Sequence, residues 1–389
     1  MDACTESIVR KSDRAERSRE FLRQMWRREN RERPGFMFGF VGPKVKGGAP
    51  IRSALFSPEG VGTVRDRLRD PAAFLRAQLE EVNGQLALPG DVVPSVCPAF
   101  GVVGIPSSFG CEVVWWEDNL PAVRPLTDIH PDALLSVSKP SVRDGELARV
   151  LDYTEEFISM TGGRVPIRLT DIQGPLDSAA LIVGHTEFLG LMMTDPDTAH
   201  HLLRAVTDLA IDLVKAQRDI VKSHGVEFVP SMFQPWIPDG TGVSVSNDEC
   251  VMISAAMHDD FSIPYINALS EEFGGVTVHS CGDWTHQFES LDKIRSLRGL
   301  EFGATEAPYE RVFGHFAGRT VLACRVGLHR DVTFAGMKDY VGRILRAAPT
   351  YRGLFINVDV TNGILDESWP VTDIAEIERM IVECPRKAE

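Results

Sequence analysis

The chain has 389 residues, 43% of them hydrophobic, and a formal net charge of -14 at pH 7. This length and apolar content are sufficient for one large domain or for two domains of ordinary size. The strong negative charge excludes a general nucleic-acid-binding protein and a protein that docks on an anionic membrane surface.

Cysteine usage and the hydropathy pattern bear on the cellular compartment. The seven cysteines are scattered without paired spacing, which favours a reducing compartment over a disulfide framework. The segment 1–20 is polar and charged and lacks the apolar core of a secretory signal. No run of about 18 apolar residues occurs either, so we expect no membrane-spanning helix. Together these features predict a cytoplasmic protein. We also expect a small-molecule substrate.

The chain begins with a charged segment, 1–33, that we predict to be a helical extension. Four large apolar side chains recur in it at helical spacing: Phe21, Leu22, Met25 and Trp26. One face of this helix should therefore pack on the remainder of the protein. The helix pattern stops at Pro34-Gly35, where the main body begins.

Short apolar stretches that alternate with helical patterns follow the extension. Eight of them are predicted strands: Phe36–Phe40, Asp91–Pro98, Val165–Asp171, Val226–Pro230, Val276–Val278, Leu300–Thr305, Thr320–Arg325 and Gly353–Asp359. Val113–Asp128 is predicted as an additional hairpin, and Ser246–Glu272 as helical in parts.

This alternation predicts an α/β fold, a (β/α)8 TIM barrel with an N-terminal helical extension. A doubly wound sheet is the alternative, but no glycine-rich dinucleotide fingerprint follows the first predicted strand. No repeat or low-complexity linker divides the main body. We therefore predict two parts, the extension 1–33 and a barrel domain 34–389.

The stretch from Val276 to Gly282 contains two candidate metal ligands. His279 and Cys281 stand two positions apart at a strand end, so their side chains point the same way. An imidazole nitrogen and a thiolate sulfur are favoured zinc ligands, and the pair predicts a metal site. A single His-x-Cys pair is a weak signal by itself, because free cysteines are often buried as inert apolar groups.

In a barrel the active site lies at the carboxyl ends of the strands. We therefore expect Cys324, at the end of the seventh strand, and a carboxylate such as Glu301 or Glu306 to complete the metal site. The alternative for Cys324 is ordinary burial in the core. Three protein ligands and one exchangeable position are usual for catalytic zinc, which lowers the pKa of a substrate thiol and prepares it for methyl transfer.

Other strand ends supply candidates for substrate binding and catalysis. Asp171 and Gln173 follow the third predicted strand, and Asn357 lies in the eighth. The segment Asp171–Asp177 is equally compatible with turn and helix-cap chemistry.

These segments resemble the uroporphyrinogen decarboxylase superfamily over most of the chain from about Arg33. The anchors are Arg33-Pro34, Asp91-Val92-Val93-Pro94, the segment Asp171–Asp177, the strand around Phe355, Phe273-Gly274-Gly275 and His279-Ser280-Cys281-Gly282. The last anchor is similar to the metal motif of zinc-dependent, corrinoid-linked methyltransferases in that superfamily. The resemblance implies a methyl group moved between a corrinoid, or another methyl donor, and a thiol or related acceptor, with a corrinoid protein as a candidate partner.

The chain departs from the methyltransferase branch in one respect. That branch has a further cysteine in the loop after the last strand, whereas Phe355–Leu365 contains none. Cys324 would then substitute from the neighbouring strand, or the site would be weaker, or it would not be a zinc site.

The decarboxylase branch of the same superfamily is the alternative. It implies a metal-free decarboxylase or lyase centred on Asp91, whose ionised carboxylate would stabilise a protonated pyrrole intermediate. The histidine that this branch carries after the last strand is missing from Asn357–Gly363. A further alternative is a non-catalytic module that binds a corrinoid or a substrate without turnover.

Overall fold

The computed structural model describes residues 3–39, 45–46, 54–56, 62–126, 134–327, 334–358 and 370–387. The α-helices are α1 Ala3–Arg10, α2 Ser12–Trp26, α3 Val64–Arg69, α4 Pro71–Ala87, α5 Gly104–Ser108, α6 Glu146–Thr161, α7 Pro175–Val183, α8 His185–Thr194, α9 Pro196–Ser223, α10 Ala255–Phe261, α11 Ile263–Phe273, α12 Phe288–Leu291, α13 Tyr309–Phe316, α14 Met337–Ala347 and α15 Ile374–Val382. The strands are β1 Gly35–Phe38, β2 Val45–Lys46, β3 Glu112–Val114, β4 Ala122–Arg124, β5 Ile167–Arg168, β6 Phe228–Val229, β7 Val243–Ser246, β8 Val276–His279, β9 Leu297–Gly303, β10 Val321–Arg325, β11 Leu354–Val358 and β12 Thr372–Asp373.

Parallel strands form a ring at the centre of the molecule. Six of them make one sheet in the order β1-β11-β10-β9-β8-β7, and β5 pairs with β6 in a second parallel sheet. The Ser244 amide of β7 donates to the Pro230 carbonyl after β6 at 3.0 Å, and Val96 bridges to β5. The Asp91 amide donates to the Phe36 carbonyl of β1 at 2.7 Å. These backbone hydrogen bonds connect the two sheets on both sides.

The long helix α9 shows how the outer layer follows from the sequence. The Asp195 carboxylate caps its amino terminus by accepting the Thr198 amide at 3.3 Å, and Pro196 occupies the first turn. Apolar side chains recur along it at helical spacing and are buried. Gly225, with a φ of +68°, follows the end of the helix in the left-handed conformation that glycine adopts without strain.

The extension packs on the ring as predicted. Leu22, Met25 and Trp26 of α2 are all buried. The Trp26 indole Nε1 donates to the Trp236 carbonyl at 2.9 Å, and Arg14 Nη1 donates to the Leu86 carbonyl at 2.7 Å. The predicted hairpin is also confirmed as the antiparallel pair of β3 and β4.

One strand was not predicted. β7 lies in a stretch that the sequence analysis left without a strand, and its four residues, Val-Ser-Val-Ser, are all buried. Four residues are too few to show the two-residue alternation that indicates a strand. Serine in a sequence is also more typical of a loop than of a buried strand. In the structure Ser246 at the end of β7 pairs with His279 of β8.

The second predicted strand is shorter than expected. Within Asp91–Pro98 only Val96 forms a bridge, to Ile167. Pro94 and Pro98 lack an amide hydrogen and cannot donate to a neighbouring strand, which limits pairing to this position.

Some predicted segments reach beyond the described residues. Phe40 and Asp359 at the ends of two predicted strands, and residues 359–365 of the loop after β11, lie outside them. Within the described ranges no single helix has the length and apolar character to cross a membrane, and one bent pair, α7 with α8, passes by length and composition only.

Candidate metal centre

A cavity of about 410 Å³ opens at the carboxyl ends of the strands. Its lining includes Arg168 of β5, His279 of β8, Cys281 just after β8, Glu301 of β9 and Arg325 of β10. Helix α4 contributes further polar side chains. The cavity therefore lies where active sites occur in barrels of parallel strands.

His279, Cys281 and Asp248 form a compact cluster at this end of the strands. His279 Nε2 lies 3.3 Å from Cys281 Sγ and 3.6 Å from Asp248 Oδ1. The candidate ligand atoms of the three residues all lie within 4.8 Å of one another. Bonds to tetrahedral zinc of about 2.0–2.3 Å separate neighbouring ligand atoms by roughly 3.3–3.8 Å, so small adjustments would bring all three onto one ion.

The pairing of β7 with β8 explains why Asp248 joins the cluster. Ser246 and His279 are register partners, so the chain that leaves β7 passes directly beside the chain that leaves β8. The Asn247 amide donates to the His279 carbonyl at 2.8 Å, and Asp248 Oδ1 accepts the Cys281 amide at 2.6 Å. Two adjacent strand ends thus supply all three side chains.

A buried carboxylate holds the turn that carries Asp248. Asp177, in the first turn of α7, accepts the amides of Asp248 and Glu249 at 2.9 Å each. Burial and the nearby Asp248 charge raise the pKa of Asp177 to about 8. The segment Asp171–Asp177 therefore positions a member of the cluster through backbone hydrogen bonds.

His279 is held in one orientation by its neighbours. Its Nδ1 contacts the Glu301 carboxylate, and Phe233 stacks on the imidazole with ring centroids 4.6 Å apart. Burial lowers the pKa of His279, but Glu301, Cys281 and Asp248 raise it, and the net result is well above the ordinary value. With Nδ1 directed to Glu301, Nε2 faces Cys281 and would bind an ion on losing its proton.

Glu301 supports His279 rather than joining the cluster directly. Its other oxygen accepts Arg325 Nε at 3.0 Å, so both oxygens already have partners. Burial raises the pKa of Glu301, but His279 and Arg325 lower it below its ordinary value. The predicted metal ligand thus lies behind His279, in the place of the carboxylate that orients a metal-binding histidine.

Arg325 connects Glu301 to the cysteine. Its Nη2 lies 3.5 Å from Cys281 Sγ and 3.3 Å from Glu306 Oε2. Arg325 therefore places a positive charge beside the Cys281 sulfur.

The predicted role of Cys324 requires a correction. Ala323 pairs with Glu301, and both lie on the same face of the sheet as Arg325. Cys324 pairs with Phe302 and lies on the opposite face. Cys324 is fully buried, and burial raises the pKa of its thiol to about 12. It therefore belongs to the core and lies outside the cluster.

The predicted role of Asp91 also requires a correction. Its carboxylate forms a two-pronged ion pair with Arg33 at 2.7 and 2.8 Å and accepts the Phe36 amide at 3.1 Å. Phe36 lies in the amino-terminal half of β1, away from the carboxyl ends that form the cavity. The pair fastens the extension to the barrel, and this geometry does not support a decarboxylase centred on Asp91.

The remaining candidates lie near the cluster. Asp171 is buried and accepts the amide and the side chain of Gln173, both at 2.9 Å. Burial raises the pKa of Asp171 despite these hydrogen bonds. Gln173 has a φ of +50°, a left-handed conformation that is uncommon outside glycine. Asn357 lines the cavity, and the catalytic roles of these residues stay predictions.

A buried histidine braces the turn after β7. His258 lies between Asn247 Nδ2, at 2.8 Å from its Nε2, and Gln287 Oε1, at 3.1 Å from its Nδ1. These partners fit the neutral ring, with Nδ1 as the donor and Nε2 as the acceptor. Burial lowers the pKa of His258 to about 4.

This low pKa predicts a loss of stability in mild acid. Because the unfolded-state pKa of about 6.5 exceeds the folded-state value, protons bind the unfolded chain more tightly, and stability falls as pH drops from about 6.5 towards 4. We expect His258 to remove about 2 kcal/mol of unfolding free energy between about pH 7 and pH 5. Urea unfolding of His258→Gln should show a correspondingly smaller pH dependence, and a slope identical to that of wild type would contradict this assignment. His224→Gln, at an exposed histidine, is the control.

Comparison with known proteins places the chain in a family. The family model described as uroporphyrinogen decarboxylase (URO-D) matches residues 95–312. The chain belongs to the uroporphyrinogen decarboxylase family. The structure of a methyltransferase from Methanosarcina mazei superimposes on this structure with a TM-score of 0.57 and 12% sequence identity, covering 92% of this chain and 96% of that chain. No curated protein matches the sequence.

The URO-D family fold is a TIM barrel, and the predicted fold class is confirmed. Sequence analysis missed Asp248, since its position depends on the unpredicted strand β7. No local signal marked it, because the four residues Val-Ser-Val-Ser before Asn247-Asp248 are too few to indicate a strand.

Proposed function

We propose that this member of the URO-D family is a zinc-dependent methyltransferase. It would move a methyl group between a corrinoid, or another methyl donor, and a thiol or related small-molecule acceptor. The observation that carries the proposal is the cluster of an imidazole, a thiol and a carboxylate, His279, Cys281 and Asp248, at the carboxyl ends of the barrel strands. The similarity in fold to a methyltransferase supports the choice of reaction.

The donor set fits zinc. Nitrogen and sulfur donors favour zinc over magnesium or calcium, and a carboxylate oxygen is an acceptable third ligand. We therefore assign His279 Nε2, Cys281 Sγ and Asp248 Oδ1 as the ligands, with Asp248 in the place predicted for Cys324. Three protein ligands leave one position for a substrate atom, as in catalytic zinc sites.

Zinc bound there would lower the pKa of an acceptor thiol so that a thiolate is present at neutral pH. The chain's own residues would prepare the site. Glu301 keeps the His279 ring in place through Nδ1, and Arg325 places a positive charge beside the Cys281 sulfur. We further propose that Asp171 and Asn357 contribute to substrate binding and that a corrinoid protein is the partner that presents the methyl group.

The test uses purified protein with and without zinc. We expect about one zinc per chain and methylation of a simple thiol, such as 2-mercaptoethanol, by methylcobalamin that stops on chelation and returns when zinc is added. Equal methylation by the zinc-loaded and the chelated protein would contradict the proposal.

Replacing Glu301 by glutamine should weaken zinc binding while the fold is retained. The amide keeps the shape of the side chain but loses the charge that fixes the His279 ring, and Arg325 keeps Glu306 as a partner. We expect zinc affinity to fall about 10–100-fold in a competition titration with a chromophoric chelator. Glu289→Gln, at an exposed glutamate, should leave the affinity unchanged. An unchanged affinity in Glu301→Gln would show that the contact with His279 has no part in metal binding.

A further inference from the structure

The cavity contains a cationic group that the metal cluster does not use. Arg168 lies at the end of β5 and lines the cavity. Its Nε donates to the Ser231 carbonyl at 3.2 Å, but its Nη2 is buried and has no hydrogen-bond partner among the described residues. A buried donor left unpaired costs about 1–3 kcal/mol, more when it is charged.

The surroundings of Arg168 do not relieve this cost. Burial lowers its pKa, while Cys97 and Glu81 raise it. Even so, a guanidinium stays protonated under ordinary conditions. Glu81, on α4, attracts the guanidinium without accepting a hydrogen bond from Nη2. Cys97 offers only a thiol whose pKa burial raises to about 12, so it is uncharged.

A second atom of the cavity lining is also unpartnered. In the part of the chain that the structure describes, Asn357 Oδ1 is buried without a hydrogen-bond partner, on β11 and therefore on a different part of the ring from Arg168. Within those same ranges, two buried polar atoms of one cavity lack partners, a charged donor and an acceptor. Arg325, the other arginine among the lining residues, is already paired with both Glu301 and Glu306.

We propose that Arg168 is the carboxylate-binding residue of this cavity and that the acceptor is a small thiol that carries a carboxylate. Two parallel N–H groups of a guanidinium match the two oxygens of a carboxylate, and Arg168 in the cavity lining carries the unpaired Nη2. An amine or hydroxyl group on the same acceptor would satisfy Asn357 Oδ1. The thiol part of this inference rests on the proposed function, whereas the carboxylate part does not.

The test compares matched probes by isothermal titration calorimetry. Zinc-loaded protein is titrated with 3-mercaptopropionate and with its neutral counterpart 3-mercaptopropionamide. We expect the carboxylate to bind at least about tenfold more tightly, because hydrogen bonds to charged groups are about twice as strong as neutral ones. In Arg168→Gln this preference should fall to about twofold or less, with binding of the amide unchanged. Arg143→Gln, at an exposed arginine, should keep the wild-type preference.

Two results would overturn the proposal. One is equal affinity of the wild-type protein for the two thiols, which requires no variant and so is decisive even if Arg168→Gln does not fold. The other is a tenfold preference that persists in folded Arg168→Gln. Adding cysteine as a third probe shows whether an amine next to the carboxylate binds more tightly, as the Asn357 acceptor predicts.

A separate titration distinguishes this proposal from the proposed function. Metal-free protein is titrated with butyrate and butyramide, which have no thiol. Preference for butyrate that is lost in Arg168→Gln would support the carboxylate site even if zinc does not bind at Cys281. Conversely, zinc binding with no preference for either carboxylate would leave the methyltransferase proposal intact and contradict the role of Arg168.

Discussion

Replacing Cys281 with serine is expected to lower zinc affinity by more than about a hundredfold, since even residues that only support metal ligands contribute about 10–100-fold. A hydroxyl is a poor substitute for a thiolate, and it also gives up the contact with Arg325 at 3.5 Å. The side chain is only partly buried, so the unfolding midpoint of the metal-free protein should hardly change. Competition with a chromophoric chelator measures the affinity, and urea unfolding measures the stability.

The matched control is Cys324→Ala. Cys324 is fully buried on the face opposite to Glu301, so its loss should cost stability but leave about one zinc per chain. This pair of variants separates the site described here from the one predicted from the sequence. Loss of zinc from Cys324→Ala with retention in Cys281→Ser would reverse the assignment.

Gly174→Ala is expected to damage both the fold and the metal site. A methyl group at Gly174 would lie 2.0 Å from the Ser246 carbonyl oxygen, and that neighbour is backbone at the end of β7. Relief requires a shift of the β7 end, where Ser246 pairs with His279 and where Asp248 follows. We expect a loss of about 3 kcal/mol in unfolding free energy, at the upper end of the usual cost of overpacking, and weaker zinc binding in the protein that folds.

Gly190→Ala provides the comparison for this effect. Gly190 lies within α8, and an added methyl group there would contact nothing within 4 Å. Alanine in a helix interior is favoured over glycine by about 0.5–1 kcal/mol, so this variant should be as stable as wild type or more so. Similar stability for the two variants in urea unfolding would show that the close approach of Gly174 to Ser246 has no energetic consequence.

The barrel could be predicted because its strongest signals are local. Hydrophobic periods, the cap at Asp195 and the glycine after α9 mark elements that form from neighbouring residues. The position of His279 and Cys281 at a strand end followed from the same reasoning, and the structure places their side chains 3.3 Å apart. The rest of the site depends on which strands pair, and a single sequence does not reveal that.

Three residues illustrate this limit. Asp248 reaches the cluster only because β7 pairs with β8 in the register of Ser246 with His279. Cys324 was assigned to the wrong face, because its exact register against β9 decides the side on which it points. Asp91 lies at the start of its predicted strand, and its carboxylate pairs with Arg33 instead of lining the cavity.

The most direct test of the account is anomalous X-ray scattering at the zinc edge from crystals of the zinc-loaded protein. We predict one peak per chain, about 2.0–2.3 Å from His279 Nε2, Cys281 Sγ and a carboxylate oxygen of Asp248, with Glu301 still on the far side of the imidazole. A peak bonded to Cys324, or zinc bound in a one-to-one ratio without a peak between His279 and Cys281, would contradict it.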